Sequence, residues 1–164
     1  MIAPMTAAKL FEAGEGATVT LPLGGETTGF FEPLTVTGTV RKVRSGLLEI
    51  PEHNTREIDM GRTALFEVGP MTMLITELSG VGGNVPEVYE AYGVNPADYK
   101  IAVLKTASNF QYFNDISSEL IRVDTKGPGQ SDIADLPWTN IQRPIYPLDE
   151  IASWRNVEPP AQKT

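Results

Sequence analysis

Apolar and polar residues alternate over Ala17–Leu23, with Val19, Leu21 and Leu23 on one face and Thr18 and Thr20 on the other. That two-residue period predicts a half-buried β-strand, closed by the Gly24-Gly25 turn. The same alternation returns over Leu34–Val43, where Leu34, Val36 and Val40 face inward and Thr35, Thr37 and Thr39 outward. Gly61 introduces a third strand through Ala64, Phe66 and Val68, Gly69-Pro70 marks a turn, and Met71–Thr76 gives a fourth strand. Ahead of these lies a short helix, Ala7 to Ala13, capped by Thr6, carrying Leu10 and Phe11 and ended by Gly14. The first half is a β-meander in pattern.

The period changes after Gly80–Gly83. Asn84 predicts a helix cap, with Pro86 in the first turn, Glu87 three residues on, an apolar face of Val85, Val88, Tyr89 and Tyr92, and Gly93 at the end. Ile101–Leu104 is a continuous apolar run, the pattern of a strand covered on both faces. A helix around Asn109–Ser117 and a strand Leu120–Asp124 follow, which predicts a compact βαβ-like unit near residues 101–124. A short helix is expected at Ile151–Trp154, before a disordered tail, 159–164. The class is α+β: a mixed, largely antiparallel sheet with a few short helices and that one βαβ-like unit, in a single domain of 164 residues.

Composition narrows the chemistry. With no cysteine, disulfides, thiolate zinc sites and cysteine nucleophiles are excluded, in keeping with a cytoplasmic protein. Thirteen basic residues against 21 acidic ones leave a formal charge of −8, which disfavours nucleic acid and anionic membrane surfaces. No apolar run is long enough to span a bilayer. The one histidine, His53, is the only imidazole available, whereas a catalytic zinc commonly takes three protein ligands. No metal or other cofactor is therefore assigned to this chain. His53 itself sits in a polar stretch that reads as a solvated loop.

Candidate chemistry concentrates at Lys105, Thr106, Ser108 and Asn109, where the apolar run gives way to a helix. Unpaired N–H groups at such a junction suit a carboxylate or a peptide carbonyl, and Lys105 adds a positive charge. The simpler alternative has Ser108 or Asn109 capping the helix and Lys105 solvated. Asp124 leaves the next strand, and with parallel strands it would emerge beside Lys105; alternatively its side chain initiates a turn. The glycines of Gly80–Gly83 and Gly127-Pro128-Gly129 match neither phosphate-loop nor dinucleotide spacing. Arg143–Asp149, RPIYPLD, is expected to pack Ile145, Tyr146 and Leu148 against the core or a neighbouring domain, and Trp138 and Trp154 to act as anchors.

Taken in order, Phe11–Gly25 (FEAGEGATVTLPLGG), Gly61–Leu65 (GRTAL), Tyr92–Phe110 (YGVNPADYKIAVLKTASNF), Ile121–Gly127 (IRVDTKG) and Arg143–Asp149 (RPIYPLD) resemble the C-terminal domain of the MlrC family, named for the microcystinase C metallopeptidase. The resemblance implies a two-domain protein whose N-terminal domain supplies the zinc ligands, and Ile2-Ala3-Pro4-Met5 is similar to the stretch joining the two. It implies hydrolysis of a peptide or related amide bond by metal-activated water, with the present chain inactive alone. Many members carry Lys-Ser and then a His-Phe-Arg-like triplet. Here Lys105-Thr106 and Asn109-Phe110-Gln111 stand instead, so Lys105 and Phe110 carry over and the histidine and arginine do not.

The expected function is thus the C-terminal domain of a zinc-dependent peptidase or amide hydrolase. Lys105, Thr106, Asn109 and Asp124 lie at the substrate-binding edge, and the partners are an N-terminal metal-binding domain and a peptide-like substrate. The sequence leaves homo-oligomerisation open. The alternative is a non-enzymatic binding module for a small anionic ligand or a partner protein.

Overall fold

The computed structural model describes residues 1–27, 31–50, 57–79, 84–106, 108–125, 127 and 132–151. The chain divides into two compact units, Met1–Ile121 and Arg122–Thr164. In the first, helix α1 (Pro4–Ala13) precedes strands β1 (Thr18–Leu23) and β2 (Leu34–Arg44). Two three-residue strands, β3 (Leu47–Glu49) and β4 (Glu57–Asp59), come next, then β5 (Thr63–Val68), β6 (Met71–Thr76) and helix α2 (Pro86–Glu90). Four strands form one sheet in the order β1-β2-β5-β6, every neighbouring pair antiparallel, while β3 and β4 pair with each other. The α+β class and the largely antiparallel sheet are as the alternation predicts.

The burial of β5 explains how both faces of the sheet are used. Thr63, Ala64, Leu65 and Phe66 are all buried, although successive side chains on a strand point to opposite faces. Ala64 and Phe66 join Ile75, Val40, Leu21, the α1 residues Ala7 and Leu10, and Ala3 just ahead of that helix in one core. Leu65 joins Leu74, the hairpin residues Leu48, Ile50, Ile58 and Met60, and Val85, Val88 and Tyr92 beside α2 in a second. The sheet is covered on both sides, and β5 serves both layers. The register slips at Val40/Lys42, a bulge in β2 opposite β5. Close by, Gly38 leaves no room for a side chain: a Cβ there would stand 2.2 Å from the Glu67 carbonyl oxygen and 2.7 Å from Phe66 Cζ.

Several expectations are corrected. Thr6 does not cap α1, because Pro4 occupies the first turn and the carboxylate of Glu26, twenty residues on, accepts from the N–H groups of Met5 and Thr6 at 2.8 and 3.0 Å. Thr6 is buried instead. Asn84 gives no cap either, since α2 begins one residue later after Val85 and without a side-chain cap. The helix ends at Glu90, earlier than predicted, and the turn after it closes on the expected glycine: Gly93, at φ 78°, donates to Glu90 O at 2.8 Å and Val94 donates to Tyr89 O at 3.0 Å. Leu34, expected inward, is exposed at the start of β2.

The βαβ-like unit does not form. Residues 101–106 and 117–125 belong to no strand, and Asn109–Ile116 is a 3₁₀ helix. Ile101, Val103, Ile121 and Val123 are exposed, so Ile101–Leu104 lacks the covering layers that its continuous apolar composition calls for. The 3₁₀ helix holds on through Phe113, buried edge-on against Tyr89 with ring centroids 6.5 Å apart. Ile151 is not helical. His53, Gly80–Gly83, Trp154 and the 159–164 tail lie outside the described residues. Among the described residues, no helix is long and apolar enough to cross a membrane.

Candidate functional site

Thr106, Ser108 and Asn109 form a small hydrogen-bonded turn at the entry to the 3₁₀ helix. The Asn109 N–H donates to Thr106 Oγ1 at 3.0 Å, and Ser108 Oγ bonds Asn109 Oδ1 at 3.2 Å. Thr106, rather than Ser108 or Asn109, therefore satisfies the free N–H, three residues back from the group it serves. Thr106 and Asn109 are half-buried by this arrangement, whereas Lys105 stays exposed. The charge of Lys105 reaches the amino group of Met1, which donates to Leu74 O at 2.6 Å. That amino group is held below its ordinary pKa, first by burial and then by the Lys105 charge.

Asp124 is exposed and belongs to the second unit, while Lys105, Thr106 and Asn109 belong to the first. The parallel-strand rationale for bringing Asp124 beside Lys105 does not apply, because neither flanking run is a strand.

Two arginine–carboxylate clamps stand out that the pattern of apolar positions does not announce. Arg62 grips Glu77 with Nε on Oε2 at 3.0 Å and Nη2 on Oε1 at 2.8 Å, and its own backbone N–H donates to Oε2 at 2.9 Å. These bonds pull the Glu77 carboxyl down to a pKa of about 2. In the second unit, Arg143 Nε meets Asp149 Oδ2 at 2.5 Å and Nη2 meets Oδ1, while the Ile145 N–H adds a bond to Oδ2 at 2.7 Å. Asp149 is likewise lowered to about 2, first by Arg143 and then by that N–H. Both carboxylates stay ionised at neutral pH with their oxygens occupied, so they brace loops and do not shuttle protons. The second clamp was visible in principle, as opposite charges bracketing the prolines of RPIYPLD. It folds the segment on itself, so Ile145 and Tyr146 are exposed rather than packed on this chain's core. Trp138 is also exposed, with its indole N–H donating to Ile133 O at 2.6 Å.

Among the described residues, no three His, Cys, Asp or Glu side chains are grouped so that they could hold a metal ion. The zinc that the family resemblance implies does not fit the described donor set.

Residues 1–140 match the family profile described as the MlrC C-terminus. Among solved structures, the chain is similar to a "Putative metallopeptidase" from Mesorhizobium sp. BNC1, with 33% sequence identity and a TM-score of 0.76. The likeness covers 92% of the present chain but 31% of the Mesorhizobium one, so the present chain spans about a third of the length of that neighbour. No curated protein matches it.

Proposed function

This chain belongs to the MlrC C-terminal domain family, and we propose that it is the supporting domain of a zinc-dependent hydrolase of peptide or related amide bonds, whose metal sits in a separate N-terminal domain. The observation that carries this reading is the match, in sequence and fold together, to one third of a metallopeptidase-like chain three times as long. One histidine and no cysteine in the whole sequence agree with a division of labour in which the metal ligands come from elsewhere. This domain then contributes position. The Thr106–Asn109 turn holds Lys105 at an exposed edge, where its ammonium meets a carboxylate or carbonyl of a peptide-like substrate. The absence of cysteine suits a cytoplasmic setting.

The alternative, a self-sufficient binding module for a small anion, gains no support from the turn, whose hydroxyls and amide bond one another.

The test is metal analysis and peptide hydrolysis on the purified chain, alone and joined to an N-terminal domain of the family. Alone, it is expected to hold far less than one equivalent of zinc and to cleave nothing from a peptide panel; both properties appear when the second domain is supplied. One tightly held zinc per isolated chain, with turnover, would overturn the reading.

A further inference from the structure

Unit Met1–Ile121 completes two cores, yet it leaves two apolar segments exposed. Ile101 is 76% exposed, Val103 85% and Ile121 74%, with Leu120 beside it also exposed. Single exposed apolar residues are ordinary. Here Ile101 and Val103 fall in a continuous apolar run whose composition is that of a strand buried on both faces, and among the described residues no layer covers it; Leu120 and Ile121 form a second exposed apolar pair. The same unit buries Phe66, Ile75, Val40 and Val88 completely, so the failure is not one of general packing.

We propose that the runs Ile101–Leu104 and Leu120–Ile121 are docking segments for the larger remaining part of an MlrC-type protein, which covers them and pairs with them as added strands. This rests on the two-domain reading above. The occupant follows from three observations. The structural neighbour devotes 31% of its length to the region this chain matches, leaving more than enough polypeptide to supply strands and a covering layer. Among the described residues neither segment is paired as a strand, the condition under which an extended segment can take up an incoming edge. Finally, Lys100 and Lys105 bracket the first run in a chain of net charge −8. Flanking lysines discourage edge-to-edge pairing between identical copies and favour a partner whose own strip is apolar and bordered by carboxylates.

The chain contains no cysteine, which permits a clean readout. Val103→Cys is reacted with a maleimide, in the isolated chain and in the presence of an N-terminal domain of the family made as a separate polypeptide. Leu34→Cys, at another exposed position, is the control. Complex formation is followed by size-exclusion chromatography with light scattering. A complex in which labelling at position 103 slows at least about tenfold while position 34 keeps its rate is the expected result. Double substitution of Ile101 and Val103 to Ser should weaken the complex about tenfold or more while leaving the melting temperature of the isolated chain unchanged, since both side chains are exposed. No complex, a complex with position 103 still reactive, or protection arising from self-association of the chain alone would each overturn the proposal. A complex that protects position 103 yet lacks hydrolysis would sink the catalytic reading and leave the docking segments standing.

Discussion

Glu77 owes its low pKa to position rather than burial. Arg62 approaches it with two side-chain nitrogens and one backbone N–H, and a carboxylate so surrounded is held ionised. The consequence for stability has a definite sign. With a folded pKa of about 2 against an ordinary 4.5, the clamp contributes fully above pH 4.5 and is lost as the pH falls towards 2. Urea unfolding of the chain and of Glu77→Gln should therefore differ by a constant amount from pH 7 to about 5, then converge as acid is added. A difference that stays flat down to pH 2 would remove Arg62 as the cause. Residue-scale features of this kind are hard to read from sequence. Arg62 and Glu77 are fifteen positions apart, and only the β5–β6 hairpin register brings them together.

At the scale of elements, the close approach of β2 to β5 depends on the missing side chain at Gly38. A methyl there meets the Glu67 backbone oxygen, which no rotamer change relieves, so Gly38→Ala is expected to cost about 2 kcal/mol or more in chemical denaturation. An unchanged midpoint would contradict the close approach of the two strands. The four-stranded meander was legible because glycine punctuation and strict alternation are local signals, and β1, β2, β5 and β6 stand where those signals put them. The β3–β4 hairpin was not, since each strand is three residues long and contributes a single buried side chain, Leu48 or Ile58. Thr6 has the local signature of a cap, but the group that serves the helix start, Glu26, arrives from beyond β1. The apolar composition of Ile101–Leu104 suits a buried strand but leaves the neighbours unstated. The candidate site was legible only as a polar junction. Which hydroxyl serves the Asn109 N–H depends on a turn geometry that several sequences of Ser, Thr and Asn would satisfy.

Across the whole molecule, protection should be distributed unevenly. Amides of β5, hydrogen-bonded on both sides and buried on both faces, are expected to exchange slowest, and those of residues 101–104 among the fastest in the isolated chain. Hydrogen–deuterium exchange read by mass spectrometry checks this; protection at 101–104 equal to that of β5 would contradict the open character of that run. The position of β5 also carries a consequence for altering the domain. Its six residues, Thr63–Val68, alternate between the layer shared with α1 and the layer shared with the hairpin and α2. Neither layer can be redrawn in isolation, because tilting or sliding this strand to suit one set of neighbours displaces the other set by the same amount. An engineer who enlarges a side chain beneath α1 must look for the compensating adjustment on the far side of the sheet.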